Sequence, residues 1–230
     1  MKVSEIAEIL DNWMPKSIAE DFDNVGLLVG DPDSEVQNIL ITLDTTFNVV
    51  NEAIEKECNF IVSYHPIIFN DLKKITYNSG YVQKSIIKAL KNNISIYSIH
   101  TSLDNHLEEI SYFLSKKICL NNLSVLIPKA DKNVELNLGI GIIGELVEPL
   151  SEDVFFDLLK EKLNLRYLRH SEKINKKISK ISIVVGSGSF AIKNSIDSNV
   201  DAFITSDLKY HNFFEPDNNL VLVDIGHYES

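Results

Sequence analysis

What most constrains this chain is an alternation of two periodicities. Short apolar runs at Ile39–Leu43, Phe60–Ser63 and Ser95–Ile99 have the length and β-branched content of buried strands. Each is followed by a stretch of helical period: through about Glu57, near 81–92, and over roughly 107–117. Strand and helix in alternation predict a mostly parallel sheet flanked by helices, because parallel neighbours need a crossover and a helix supplies it. Thr45 or Thr46 is placed to cap the helix after the first run. An earlier helix over 4–13 carries Ser4 as candidate N-cap, with Ile6, Ile9, Leu10 and Trp13 on one face. Asp21–Gly30, between them, reads as turn-rich.

Around Asn121–Ile127 the alternation breaks. Pro128, the polar stretch 129–133 and the glycines from Gly139 to Gly144 predict a boundary and a new strand. Ser151-Glu-Asp then opens a helix, with acids in its first turn. Strands are predicted at Leu165–Leu168, Ile181–Val185, Ala202–Thr205 and Leu220–Val223, with the glycine-bearing Gly186–Phe190 after the second. The expected fold class is α/β, with two α/β domains. The first covers 1–124 and is completed by the C-terminal segment from about 225; the second covers 125–224.

Composition removes several function classes. Hydrophobic residues make up 44% of 230 residues, enough for packed cores. The net charge of −11 disfavours nucleic acid as a partner, since phosphate binding needs a basic face. No apolar run reaches the roughly 18 residues of a membrane span, and the acidic, amphipathic start does not read as a signal peptide. The two cysteines, Cys58 and Cys119, lack metal-type spacing and are expected to be buried, reduced thiols in a cytoplasmic protein.

Polar residues gather at the predicted strand ends. Asp44, His65, His100 with Asp104, Asp207 with His211, and Asp224 with His227 each follow an apolar run within a few residues. In open α/β sheets ligands bind beyond the carboxyl ends of the strands. Imidazole and carboxylate together suit Zn²⁺, Mn²⁺ or Fe²⁺, although a lone strand-end histidine is more often a turn residue than a ligand. Pro66 ends its strand and biases His65 to an extended backbone. His106 and His170 lie elsewhere and read as surface or structural residues. Gly186-Ser-Gly-Ser189 could cradle a phosphate or could simply join strand to helix; neither Walker nor dinucleotide fingerprints are present.

Seven stretches together resemble the GTP cyclohydrolase I type 2-like family, also called the Nif-three family. They are DFDNVGLLVGDP (21–32), LITLDTT (40–46), IVSYHPIIF (61–69), YSIHTSLD (97–104), VVGSGSF (184–190), DAFITSDLKYH (201–211) and VDIGHYES (223–230). The resemblance implies a two-domain α/β subunit assembling into a homohexamer, with a dinuclear divalent-metal site in the interdomain cleft. Carried over position by position, it implies His65, Asp104 and His227 as metal ligands. His100 is the implied catalytic residue, orienting a ligand or moving a proton, with Thr101 and Asp44 as lesser candidates. Tyr64 stands where the family has a histidine, and a neutral phenol is a poor ligand at neutral pH. The family's glutamate, four residues after the last histidine, would fall one position past Ser230. Three donors suit one ion completed by water, against two in the family pattern. Ser206 replaces a family glycine.

The implied function is a metal-dependent hydrolase, opening the imidazole ring of a GTP-like nucleotide by attack of water at C8. The alternative is a non-enzymatic metal-binding hexamer for storage, delivery or partner recruitment.

Overall fold

In the computed structural model, residues 1–106, 108, 110–129 and 138–230 are described; positions 107 and 109 of the helix expected over 107–117, and most of the polar stretch 129–133, lie outside them. By internal packing the chain divides into Met1–Leu103 and Asp104–Ser230. The division thus falls after Leu103, where the sequence reading placed a boundary at 124.

The first unit begins with α1 (Val3–Trp13) and β1 (Gly26–Val29). It continues through β2 (Ile39–Thr42), α2 (Phe47–Glu55), β3 (Phe60–Ser63), α3 (Tyr81–Lys91) and β4 (Ser95–Ser98). The helix α4 (His100–Asp104) follows and reaches the division. The strands form one sheet in the order β1-β4-β3-β2. Its β2–β3 and β3–β4 pairs are parallel, as expected, and β1 adds antiparallel to β4. Thr46 caps α2, its Oγ1 accepting from Val49 N–H at 3.3 Å. Ser4 caps nothing, because the helix already starts at Val3. The first-turn N–H groups of Val3 and Ser4 donate to the carbonyls of Ser34 and Pro32, each at 2.9 Å.

The inward stripe of α1 also differs from the expected one. Val3, Ala7 and Met14 are buried, while Ile9 and Trp13 face solvent. Val50, Ala53, Ile86 and Ala89 of α2 and α3 pack on Ile61 and Ile96 to form the core. Tyr97 is buried and its hydroxyl donates to Asp11 at 2.6 Å. Burial, reinforced by that carboxylate, pushes the phenol well above the ordinary tyrosine range.

The second unit contains α5 (Ile110–Lys117), β5 (Asn121–Pro128), β6 (Gly139–Ser151), α6 (Glu152–Leu163) and β7 (Arg169–His170). The strand β8 (Lys177–Ser187), α7 (Ile192–Asp197), β9 (Ala202–Ser206) and β10 (Val221–Asp224) complete it. Its sheet runs β5-β6-β8-β9-β10-β7. Only β8–β9 and β9–β10 are parallel; β5–β6, β6–β8 and β10–β7 are antiparallel, so this sheet is mixed rather than mostly parallel. The strand expected at Leu165–Leu168 is displaced to Arg169–His170, because Leu165 turns inward as a core residue. Ile225 also packs in this core, with Phe155, Ile181 and Val223. Cys58 is buried as expected, but Cys119 is exposed, in a left-handed turn at φ +60°.

Candidate functional site

In each unit the parallel strands deliver their C-terminal ends to a histidine–carboxylate pair. In the first unit, β2 ends just before Asp44 and β3 just before Tyr64-His65. Backbone N–H groups of Tyr64 and His65 donate to Thr42 and Leu43 at 3.0 Å each, so the parallel register carries past the strands and sets His65 beside Asp44. His65 Nδ1 lies 2.9 Å from Asp44 Oδ1. A carboxylate only accepts, so Nδ1 is the donor of this pair, which in the neutral ring leaves Nε2 as the acceptor nitrogen.

His100, at the start of α4, has the same arrangement with a different partner. Its Nδ1 lies 2.7 Å from Asp23 Oδ1. The Asp23 side chain is fully buried, and its second oxygen accepts from Thr101 N–H at 3.0 Å and from the Thr101 hydroxyl. That hydroxyl in turn accepts from Glu20 N–H at 2.9 Å. Burial by itself would push the Asp23 carboxyl up. The hydrogen bonds from His100 and Thr101 outweigh it and hold the group below the ordinary carboxylate range. His100 adopts a left-handed backbone at φ +30°, rare for a residue with a Cβ. Its ring stands edge-on to those of His65 and Tyr64, centroids 5.5 Å away in both cases, and to Phe69 at 6.2 Å.

The lowered Asp23 carboxyl has a sign-determined consequence. Its stabilisation is fully present above the unfolded carboxyl value, about 3.9, and is lost as pH falls through the folded value. Asp23→Asn should therefore cost about 1–3 kcal/mol at neutral pH. It should also flatten the fall in stability below about pH 4, both read from urea midpoints across the acid range.

In the second unit, β9 ends just before Asp207 and β10 just before Ile225-Gly-His227. His227 Nδ1 lies 2.6 Å from Asp207 Oδ2, a third pair of the same kind. The glycine-bearing end of β8 lies beneath it: a Cβ on Gly186 would meet His227 Cε1 at 3.6 Å. Gly186 N–H donates to Ser230 Oγ at 3.0 Å, and its carbonyl accepts from Thr205 Oγ1 at 3.0 Å and Ser206 Oγ at 2.6 Å. Gly188 is there for space, since a Cβ would come within 2.8 Å of Val184 Cβ. Gly186 therefore supports the histidine with its own N–H and carbonyl both engaged, as a joint between strand and helix would. Ser206 is an active part of it.

The other expected residues have plainer places. Asp104, half-buried, closes α4, and Asp224 is buried at the end of β10. His211 is exposed in a short helical turn among the rings of Tyr210 and Phe214. His170 stacks on Phe156 at 4.3 Å and is structural. His106 is half-buried, in a lone bridge with Leu138. Asp23 and Arg169 were not singled out from the sequence. Asp23 lies 77 residues from the histidine it serves, so only its place in the 21–32 stretch could have pointed to it.

Nitrogen and oxygen donors of this kind fit a borderline divalent cation, and the carboxylate held at Nδ1 of each imidazole is the feature that fits best. Among the described residues no three His, Cys, Asp or Glu side chains are gathered into one metal-holding cluster.

A model of the Duf34/NIF3 (NGG1p interacting factor 3) family matches residues 1–230. Two relatives named GTP cyclohydrolase 1 type 2 homolog come from Clostridium acetobutylicum and Campylobacter jejuni. They are 36% and 35% identical, over 99% and 100% of this chain and 84% and 87% of their own. The crystal structure of Staphylococcus aureus protein SA1388 superimposes with a TM-score of 0.90 at 32% identity, covering 100% of this chain and 87% of that one. A Bacillus cereus protein related to NIF3 gives 0.91 at 23% identity, covering 100% and 89%, a likeness of fold.

Proposed function

This chain belongs to the Duf34/NIF3 family, and from that premise we propose that it is a metal-dependent hydrolase of a GTP-like nucleotide. The observation that carries the proposal is the threefold repetition of one device: His65, His100 and His227 each bind a carboxylate through Nδ1. This arrangement fixes the tautomer, strengthens the imidazole as a donor, and recurs behind metal-binding histidines. In this reading His65 and His227, with the Asp104 carboxylate, would hold the cation. When bound, that cation would act as a Lewis acid, lowering the pKa of a nearby water towards neutrality. Tyr64 contributes a phenol where a further imidazole would strengthen the set, which favours one ion over two.

His100 is the proton carrier. In its Nδ1–H tautomer it presents a basic Nε2, and the buried Asp23 carboxylate stabilises the imidazolium that forms when Nε2 takes a proton from water. The same nitrogen can then return the proton to the leaving nitrogen as the imidazole ring of the nucleotide opens.

The proposal is tested by metal content per chain and by GTP turnover. His100→Gln should lower turnover by roughly 10²–10⁴-fold while metal content stays at the wild-type level. Metal without GTP turnover in the wild type would move the assignment to a non-enzymatic metal-binding protein, and no metal in the wild type would remove both.

A homo-oligomer, with six copies as the family pattern has it, belongs to the same proposal. What supports it is apolar surface. Ile41 on the edge strand β2 is 83% exposed, and Ile9 and Trp13 of α1 face solvent as well. Light scattering should return a hexameric mass; a monomer at micromolar concentration would remove this part.

A further inference from the structure

Asp224 is the strand-end acid that the proposed chemistry leaves unused, yet it is only 4% exposed. A carboxylate withdrawn from water has to be compensated, and the groups that compensate this one are informative. Oδ1 accepts from Gly226 N–H at 3.0 Å, and Oδ2 accepts from Leu208 N–H at 3.0 Å. Oδ2 also accepts from Arg169 Nη2, which donates to the Leu208 carbonyl at 3.0 Å as well. The Arg169 guanidinium is held in turn over the Phe213 ring, 5.3 Å from its centroid.

The two backbone donors are the neighbours of the pair described above. Leu208 follows Asp207, and Gly226 precedes His227. One buried carboxylate thus ties together the loop after β9 and the loop after β10 on either side of the 2.6 Å contact between Asp207 and His227. Asp207 needs such a tie, because its backbone sits at φ +57°, where a residue with a Cβ is uncommon.

We propose that Asp224, charge-balanced by Arg169, is a positioning residue that keeps Asp207 on His227 Nδ1 and so fixes the tautomer and aim of that imidazole. The proposal rests on reading His227 as a functional donor, but it concerns the metal-free chain and is tested there. In Asp224→Asn the neutral side chain offers one acceptor atom instead of two, and its amide end points a donor at N–H groups.

The experiment is long-range ¹H–¹⁵N correlation of the histidine side chains in the full chain without metal, above the pH range of histidine titration. Wild type should show His227 as a single Nδ1–H tautomer. Asp224→Asn should show it as an exchange average with substantial Nε2–H character, and added Zn²⁺ should bind at least tenfold more weakly. Arg169→Gln, at a half-exposed position, should move the His227 signals in the same direction by less. Val221→Ala, buried on the same strand, should lower stability and leave those signals in place. An unchanged His227 spectrum in folded Asp224→Asn would overturn the proposal, as would an equal change in Val221→Ala. Should Asp224→Asn fail to fold, an unchanged spectrum in Arg169→Gln overturns it instead. Wild type that binds no Zn²⁺ would count against the hydrolase reading alone, because the tautomer measurement needs no metal.

Discussion

His65→Ala and His227→Ala should each lower bound zinc per chain about tenfold or more, while His106→Ala leaves it at the wild-type level. The asymmetry follows from what stands behind each ring. His65 and His227 have Nδ1 on Asp44 and Asp207, which sets the orientation and the neutral tautomer of each ring. Among the described residues His106 has no such carboxylate, and its Nδ1 is shut away from solvent without a hydrogen-bond partner there. Replacing the carboxylates instead of the rings should give an intermediate result. Asp44→Asn and Asp207→Asn keep the imidazole but free its tautomer, and should weaken zinc binding by roughly 10–100-fold. Elemental mass spectrometry on protein purified without chelator, backed by competitive titration with a chromophoric chelator, measures both effects. Equal zinc in His65→Ala and His106→Ala would sink the assignment of His65.

The largest loss of stability from a small change is expected at Gly30. This residue ends β1 at φ +118°, a conformation that L side chains rarely adopt, and an added Cβ would lie 2.6 Å from the Ser95 Cα. Strain and overpacking together should cost on the order of 4 kcal/mol in Gly30→Ala. The obstacle is backbone, at the first residue of β4, so the neighbour cannot swing aside. The consequence reaches the site, because β1 is laid against β4 by this close approach and leads back to Asp23. The single tryptophan, Trp13, lies in the first unit. Its fluorescence midpoint in urea should fall strongly in Gly30→Ala. A shift of less than about 1 kcal/mol would overturn the close approach of β1 to β4 at Gly30.

Much of the frame was legible because its signals are local. Phe60–Ser63 has the four-residue apolar length of a buried strand, and Thr46 sits where a helix cap must sit; both stand where the sequence put them. The misses were decided by contacts at a distance. Gly26–Val29 is too short, and too closely bracketed by glycines, to stand out from the turns around it, and it is a strand only because β4 lies beside it. The helix α1 has two apolar stripes, and nothing local says that the smaller one, Val3 and Ala7, is the one that packs. Antiparallel pairing of β6 with β5 and β8 could not be read from an alternation that suggests parallel sheets. For the site, the strand-end histidines were visible as residue types in telling places. Their partners were only partly so: Asp44 and Asp207 are close in sequence to a strand end, whereas Asp23 acts across 77 residues.

The pairing of β1 with β4 also orders events during synthesis. A ribosome releases Asp23 early, but its donors, His100 and Thr101, come about eighty residues later, after β2, β3 and α3 have been made. The apolar core of that unit can start to gather as soon as α2 and β3 emerge, with the N-terminal segment waiting undocked. In the second unit Asp207 waits in the same way for Asp224 and His227. A nascent chain therefore acquires greasy cores first and the His100–Asp23 and His227–Asp207 pairs last, whereas Asp44 and His65 emerge with the strands that carry them. A premature stop before His100, or before His227, yields a partly packed unit that lacks the corresponding pair.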